Sequence, residues 1–106
     1  MTKFKIITLC LTLGVLLTSC KAIKIPWLQV QAETAYNQGN FEQAVKLYEQ
    51  LIELKPDSDM YHWHLGICYF SQGKTYKAQK EVVQLRKIGA EDLAKDLEQL
   101  IAREKH

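Results

Sequence analysis

The chain punctuates itself at a fixed interval. Gly39 and Gly73 lie 34 residues apart, and so do Ala44 and Ala78. On the same offset Asn37-Gln38-Gly39-Asn40-Phe41 aligns with Ser71-Gln72-Gly73-Lys74-Thr75. Apolar residues between these marks recur with helical period: Ala32, Ala35 and Tyr36, then Ala44, Val45, Leu47, Tyr48, Leu51 and Ile52. Leu65, Ile67, Cys68, Tyr69 and Phe70 follow, then Ala78, Val82, Val83 and Leu85, and finally Leu93, Ala94, Leu97, Leu100 and Ile101. Strand-like alternation is missing, and Gly or Pro marks the breaks between helical runs. The spacing predicts five helices, at roughly 27–38, 41–54, 58–71, 75–88 and 91–104. Each Gly can take the left-handed conformation that ends a helix and lets the next one fold straight back. Asn40 suits the cap of the returning helix, and Gln43 the reciprocal half of a capping box. In the second unit Lys74 is a poor cap, so Thr75 is expected to serve. Pro56 ends the second helix, and Ser58 or Asp57 caps the next.

Two helices per 34-residue unit resemble the tetratricopeptide repeat. His62-x-x-Leu65-Gly66-x-x-Tyr69 matches its first-helix pattern, with His62 in place of the usual tryptophan. Ala78 fits, and Val82 replaces the aromatic four residues on. In the first unit Leu28-x-x-Gln31-Ala32-x-x-Ala35 is a degraded version, while Ala44-x-x-x-Tyr48 and Pro56 fit well. Ala32, Ala44, Gly66 and Ala78 are then expected where helices approach closely. The resemblance covers about residues 25–90 and implies an all-α fold of two tetratricopeptide-like hairpins, 27–58 and 59–90. Residues 91–106 add an amphipathic capping helix, with Glu91 and Asp92 suited to its N-terminal dipole. Two units are fewer than such stacks usually need, so one face of the first unit is left for the N-terminal tether or a partner to cover.

The N-terminus carries a different message. Lys3 and Lys5 precede an apolar run from Ile6 to Leu17, and Thr18-Ser19-Cys20 closes it. A basic start, a short apolar core and a small-residue cleavage site make a secretory signal over 1–19. The run is shorter than the ~20 residues needed to cross a bilayer. Leu17-Thr18-Ser19-Cys20 resembles the lipobox of bacterial lipoproteins, in which the cysteine becomes the first mature residue and carries lipid on its sulfur and its amino group. Residues 20–26 are then a lipidated cysteine and a short tether. Lys21 after the cysteine, by the same resemblance, favours the outer membrane, facing the periplasm.

Cleavage leaves 87 of the 106 residues, enough for one small domain. It removes Lys3 and Lys5, so 12 basic residues face 12 acidic ones and nothing points to nucleic acid. Cys10 leaves with the signal and lipid blocks Cys20, so Cys68 is the one remaining thiol and no internal disulfide forms.

His62, His64 and Cys68 invite a metal or thiol reading, because His64 and Cys68 are four apart on a helix. Zinc wants three or four ligands, and only two share a face with no acidic residue beside them. A buried free cysteine is the simpler account of Cys68. No phosphate loop, serine elbow or carboxylate pair stands out, so neither catalysis, a small-molecule substrate nor a cofactor beyond the covalent lipid is expected.

By resemblance to the family, the first helix of each unit lines an inner surface. Gln29, Glu33, Tyr36 and Asn37 take these positions in the first unit, and Met60, Trp63, Ile67, Phe70 and Ser71 in the second. The partner-binding candidates are Tyr36, Met60, Trp63, Ile67 and Phe70, since exposed apolar patches mark interaction sites and aromatics dominate hot spots. The alternative is that Trp63 and Phe70 are covered by the tether or pack between the units. The family's carboxylate-clamping variant uses Lys and Asn where this chain has Gln29 and Glu33, so capture of that kind is not expected. The sequence reads as a lipid-anchored envelope protein that binds another protein, an assembly factor or adaptor for a membrane or secretion complex. A permanent accessory subunit of an envelope complex is the competing reading, and a metal or thiol protein using His62, His64 and Cys68 a distant one.

Overall fold

Three turns of the same design set the path of the chain. The computed structural model describes residues 23–104, so the signal segment, Cys20 and the start of the tether lie outside the described residues. Within them, α1 spans 23–37, followed by α2 (Phe41–Leu54), α3 (Asp59–Ser71), α4 (Thr75–Lys87) and α5 (Glu91–Glu104). Gly39 and Gly73 both sit at φ 76°, and Gly89 at 84°, a region that side chains with a Cβ avoid. At each turn the amide one residue past the glycine reaches back five residues: Asn40 to Ala35, Lys74 to Tyr69 and Ala90 to Leu85, at 2.9, 2.8 and 2.8 Å. This closure satisfies carbonyls that the helix end would otherwise leave bare.

The helix starts differ from expectation in instructive ways. α1 already covers residues 23–26, where a tether was expected. Proline removes one backbone donor and restrains the residue before it, so Pro26 near the helix's N-terminal side leaves the later turns intact. Asn40 caps α2 by accepting from the Gln43 amide at 3.4 Å, but its own amide is committed to Ala35, which leaves no donor for a reciprocal Gln43 bond. Thr75 is the first residue of α4 rather than its cap, and Lys74 holds that position without a side-chain bond. Ser58 likewise caps α3 with backbone alone, while the Asp59 carboxylate accepts from the Met60 amide at 2.7 Å.

The core is one continuous cluster through all five helices, with Ala32, Ala44, Ala78 and Ala94 fully shielded. Val83 is an exception to the predicted apolar face: its neighbour Val82 takes the core position and leaves it half exposed. Gly66 lies where α3 meets two helices at once. A Cβ built there would press on the Leu97 side chain of α5 and stand 3.2 Å from Glu81 Cβ of α4.

α5 does more than cap. Ala94, Leu97 and Ile101 repeat His62, Leu65 and Tyr69 at an offset of 32, and all six are buried. The two-residue contraction has a local origin. α4 is 13 residues long against 14 for α2, and three residues rather than four link it to the next helix. α5 therefore occupies the place of the first helix of a third unit, alongside α3.

Candidate functional site

α1, α3 and α5 stand side by side and present the inner face. The Tyr61 hydroxyl donates to Gln29 Oε1 at 3.3 Å, tying α3 to α1, and the Trp63 indole N–H donates to Asp96 Oδ2 at 3.2 Å, tying α3 to α5. Tyr36, Trp63, Ile67 and Phe70 are half-buried and packed on the core, while Met60 is exposed. The expected open apolar stripe is thus a set of side chains seated in the domain with one surface showing.

His64 is the residue that joins this face together. Its ring meets Tyr36 edge-on at 5.2 Å and Trp63 edge-on at 5.1 Å, and stacks on Tyr48 at 5.1 Å with 12° between the planes. Phe41 adds a further edge contact to Tyr36 at 6.0 Å. Aromatic pairs at such separations favour offset and edge geometries and hold rings in fixed orientations. The row Phe41, Tyr36, His64, Trp63 was not legible as a unit, because its members come from three helices. Ile67 follows Trp63 along α3 at a spacing of four, and Phe70 follows Ile67 at a spacing of three. Polar positions flank this strip on both sides: exposed Gln29 and Glu33 from α1, and exposed Asp92, Lys95, Asp96 and Gln99 from α5.

Tyr48 is fully buried, and its ring packs across to His64 and Tyr61 of α3. Flat rings stack where two helices cross, and α2 lies directly against α3.

The three candidate ligand residues serve separate structural ends. Buried His62 is held by both ring nitrogens, Nε2 2.8 Å from the Pro56 carbonyl oxygen and Nδ1 2.7 Å from Glu81 Oε2. A carbonyl can only accept, so Nε2 carries a proton, and Nδ1 shares one with the Glu81 carboxyl. His62 is thus a buried polar ring whose partners come from α4 and the inter-unit link. His64 Nδ1 lies 2.8 Å from the Met60 carbonyl oxygen. Cys68 is fully buried, and burial pushes its thiol up to about 12, far from the thiolate that metal binding or nucleophilic attack requires. Among the described residues no group of three or more His, Cys, Asp or Glu is placed to hold a metal.

Glu81 gives a test of this buried pair. Burial raises its carboxyl above the ordinary value, with the His62 contact opposing the shift. A group whose folded-state value is raised favours the fold below the unfolded value, and that benefit is lost as pH rises through the folded one. Glu81→Gln keeps an amide to donate to His62 Nδ1 and does not titrate. Its stability relative to wild type should therefore improve as pH rises from about 4 to about 7. Denaturant midpoints across that range would show it, and a variant that instead loses ground with rising pH would mean that an ion pair dominates.

Two cavities lie away from the inner face. One of about 350 Å³ is lined by Val82, Val83, Arg86, Glu98 and Ile101 between α4 and α5. The other, about 340 Å³, is lined by Trp27, Val30, Thr34, Gln43 and Leu47 between α1 and α2. Neither is lined by Tyr36, Met60, Trp63, Ile67 or Phe70.

A family model described as TPR repeat matches residues 33–73, from within α1 to the turn after α3. The matched segment holds four of the inner aromatics, Tyr36, Phe41, Trp63 and Phe70, together with the pattern around Gly66. No curated protein matches the chain, and no solved structure does. The fold is an all-α helical repeat, and the match supports the tetratricopeptide reading of its hairpins. Repeats of this family are protein–protein interaction modules and typically scaffolds rather than catalysts.

Proposed function

We propose that this chain is a lipid-anchored envelope protein, held through acylated Cys20 at the periplasmic face of the outer membrane. Its inner face captures a segment of another protein during assembly of a membrane or secretion complex. The observation that carries the binding role is the aromatic row of Tyr36, His64 and Trp63, fixed by ring contacts yet left partly open. A strip of Met60, Trp63, Ile67 and Phe70 between polar borders suits a peptide segment with one apolar stripe. Asp96, already beside Trp63, favours a basic residue at that border. The anchoring role is supported by Lys3, Lys5, the apolar run from Ile6 and Leu17-Thr18-Ser19-Cys20, and by Lys21 after the cysteine for the outer membrane.

Crosslinking and pull-down from intact envelopes tests both halves. Trp63→Ala should keep its helicity and lose partner capture by about 2 kcal/mol, or about 30-fold in affinity. Cys20→Ser should block lipid transfer, giving either an unprocessed precursor or, once the signal is cleaved, a soluble chain that leaves the membrane fraction, because two lipid signals anchor stably where one is marginal. Undiminished capture by the Trp63 variant would sink the binding face. A processed Ser variant that stays with membranes would sink the lipid anchor.

A further inference from the structure

The edge of α1 that borders the α1–α2 groove carries apolar side chains that the core leaves largely exposed. Ile23, Trp27 and Val30 are 70, 63 and 60% exposed and account for half of the large hydrophobic residues left open on the described part of the chain. Their spacings of four and three place them in one stripe on the helix. At 100° per residue that stripe points away from Leu28, Ala32 and Ala35, which enter the core, and about a third of a turn from the inner face at Gln29 and Glu33. Thr34 extends it by one turn, with its hydroxyl turned back onto the Val30 carbonyl at 2.7 Å rather than toward solvent. Lys24 borders the stripe on one side.

The position of this stripe in the chain decides what can cover it. Ile23 stands only three positions after Cys20, a reach of about 10 Å even when fully extended. Whatever surface holds an acyl chain on Cys20 therefore lies within one or two helical turns of Ile23. We infer that Ile23, Trp27 and Val30 form a membrane-seating surface: α1 lies on the bilayer that holds the Cys20 lipid, with its apolar edge among the headgroups. The inference rests on the anchoring reading given above. Tryptophan with an exposed indole suits the headgroup level, where one end of the ring is wet and the other apolar. A lysine at the border of an apolar stripe suits a surface bearing anionic lipid. Among the described residues no helix is long and apolar enough to cross a membrane, so α1 rests on the bilayer rather than spanning it. Seated this way, the inner face opens sideways, parallel to the membrane and clear of it.

The test uses full-length protein purified from membranes and reconstituted into phosphatidylethanolamine–phosphatidylglycerol vesicles, part of whose lipid carries bromine on the acyl chains. Bromine quenches only tryptophans that reach the bilayer, and the difference between wild type and Trp27→Phe isolates Trp27 from Trp63. The expected result is that Trp27 loses at least half of its emission while Trp63, in the Trp27→Phe protein, loses none. Intact mass of the same samples reports acylation independently. Acylated protein with an unquenched Trp27 overturns the seating surface and leaves the anchor standing. Quenched Trp27 in protein lacking acyl groups on Cys20 supports the surface and removes the anchor. Trp27 that is unquenched but shielded from acrylamide in a concentration-dependent way assigns the stripe to a second copy of the chain, and overturns the proposal.

Discussion

Gly66→Leu should lower the melting temperature by about 15 °C, corresponding to about 3 kcal/mol in a domain this small. In most helices replacing glycine raises stability by about 1 kcal/mol through propensity alone. Here that gain is overwhelmed. The added side chain would enter the contact of α3 with both α4 and α5, where Leu97 is fully buried and Glu81 Cβ stands 3.2 Å from the position of a first carbon. Leu97 would have to change rotamer inside a filled core and Glu81 Cβ could yield only with α4, and close-packed interiors have little slack volume to accept the displaced atoms. Lys80→Leu is the matched control on the exposed side of α4, where only the ammonium contact over Tyr76, at 4.9 Å, is lost. It should change stability by no more than about 0.5 kcal/mol. Thermal melts by circular dichroism decide the matter, and equal melting of the two variants would show that the three helices do not meet at Gly66.

Tyr48→Ala should cost about 3–5 kcal/mol, the range for emptying a buried aromatic site. Tyr48 is 1% exposed, and its ring lies flat against His64 and tilted against Tyr61 at 6.4 Å. Its removal opens a cavity between the units and frees the His64 ring, which orients Tyr36 and Trp63. Folding and partner capture should therefore fall together in this variant, whereas Trp63→Ala should reduce capture with a smaller loss of stability. Tyr48→Phe separates the ring from the hydroxyl. The hydroxyl is buried with no hydrogen-bond partner in the protein, so its deletion should be neutral or stabilising by about 1 kcal/mol. Urea midpoints of the three variants give the comparison. If Trp63→Ala unfolds the domain as badly as Tyr48→Ala, Trp63 is a core residue and the binding face fails with it.

The turns and helix faces are legible in the sequence because each rests on local chemistry. A left-handed backbone position favours glycine wherever it occurs, so Gly39 and Gly73 announce two turns of the same design. A helix that buries one side must repeat apolar residues at three and four, so Ala44, Leu47, Tyr48 and Leu51 declare their own burial. The same logic misassigned residues 23–26. Proline is a weak boundary on the N-terminal side of a helix, and α1 runs through it.

The candidate site was half legible. Residue type and register placed Tyr36, Met60, Trp63, Ile67 and Phe70 on first helices, but not how far each sinks into the domain or what it touches. In the sequence His64 reads as a candidate ligand beside Cys68, yet its ring contacts make it the centre of the aromatic row. Asp96 gave no signal at all, being one more acid on an amphipathic helix until its 3.2 Å bond to Trp63.

What the sequence by itself determined is the set of helices, their turns and the face each one buries, because those follow from backbone conformations and from spacing within a few residues. Tertiary structure alone decided which side chains meet across helices. His62 is satisfied by Pro56 and by Glu81, Trp63 by Asp96, 33 residues on, and Gly66 makes room for Leu97. Helical period states that a residue points inward but carries no information on what stands opposite. That depends on how far α5 slides along α3, which the 34-residue repeat misstates by the two residues missing between α3 and α5.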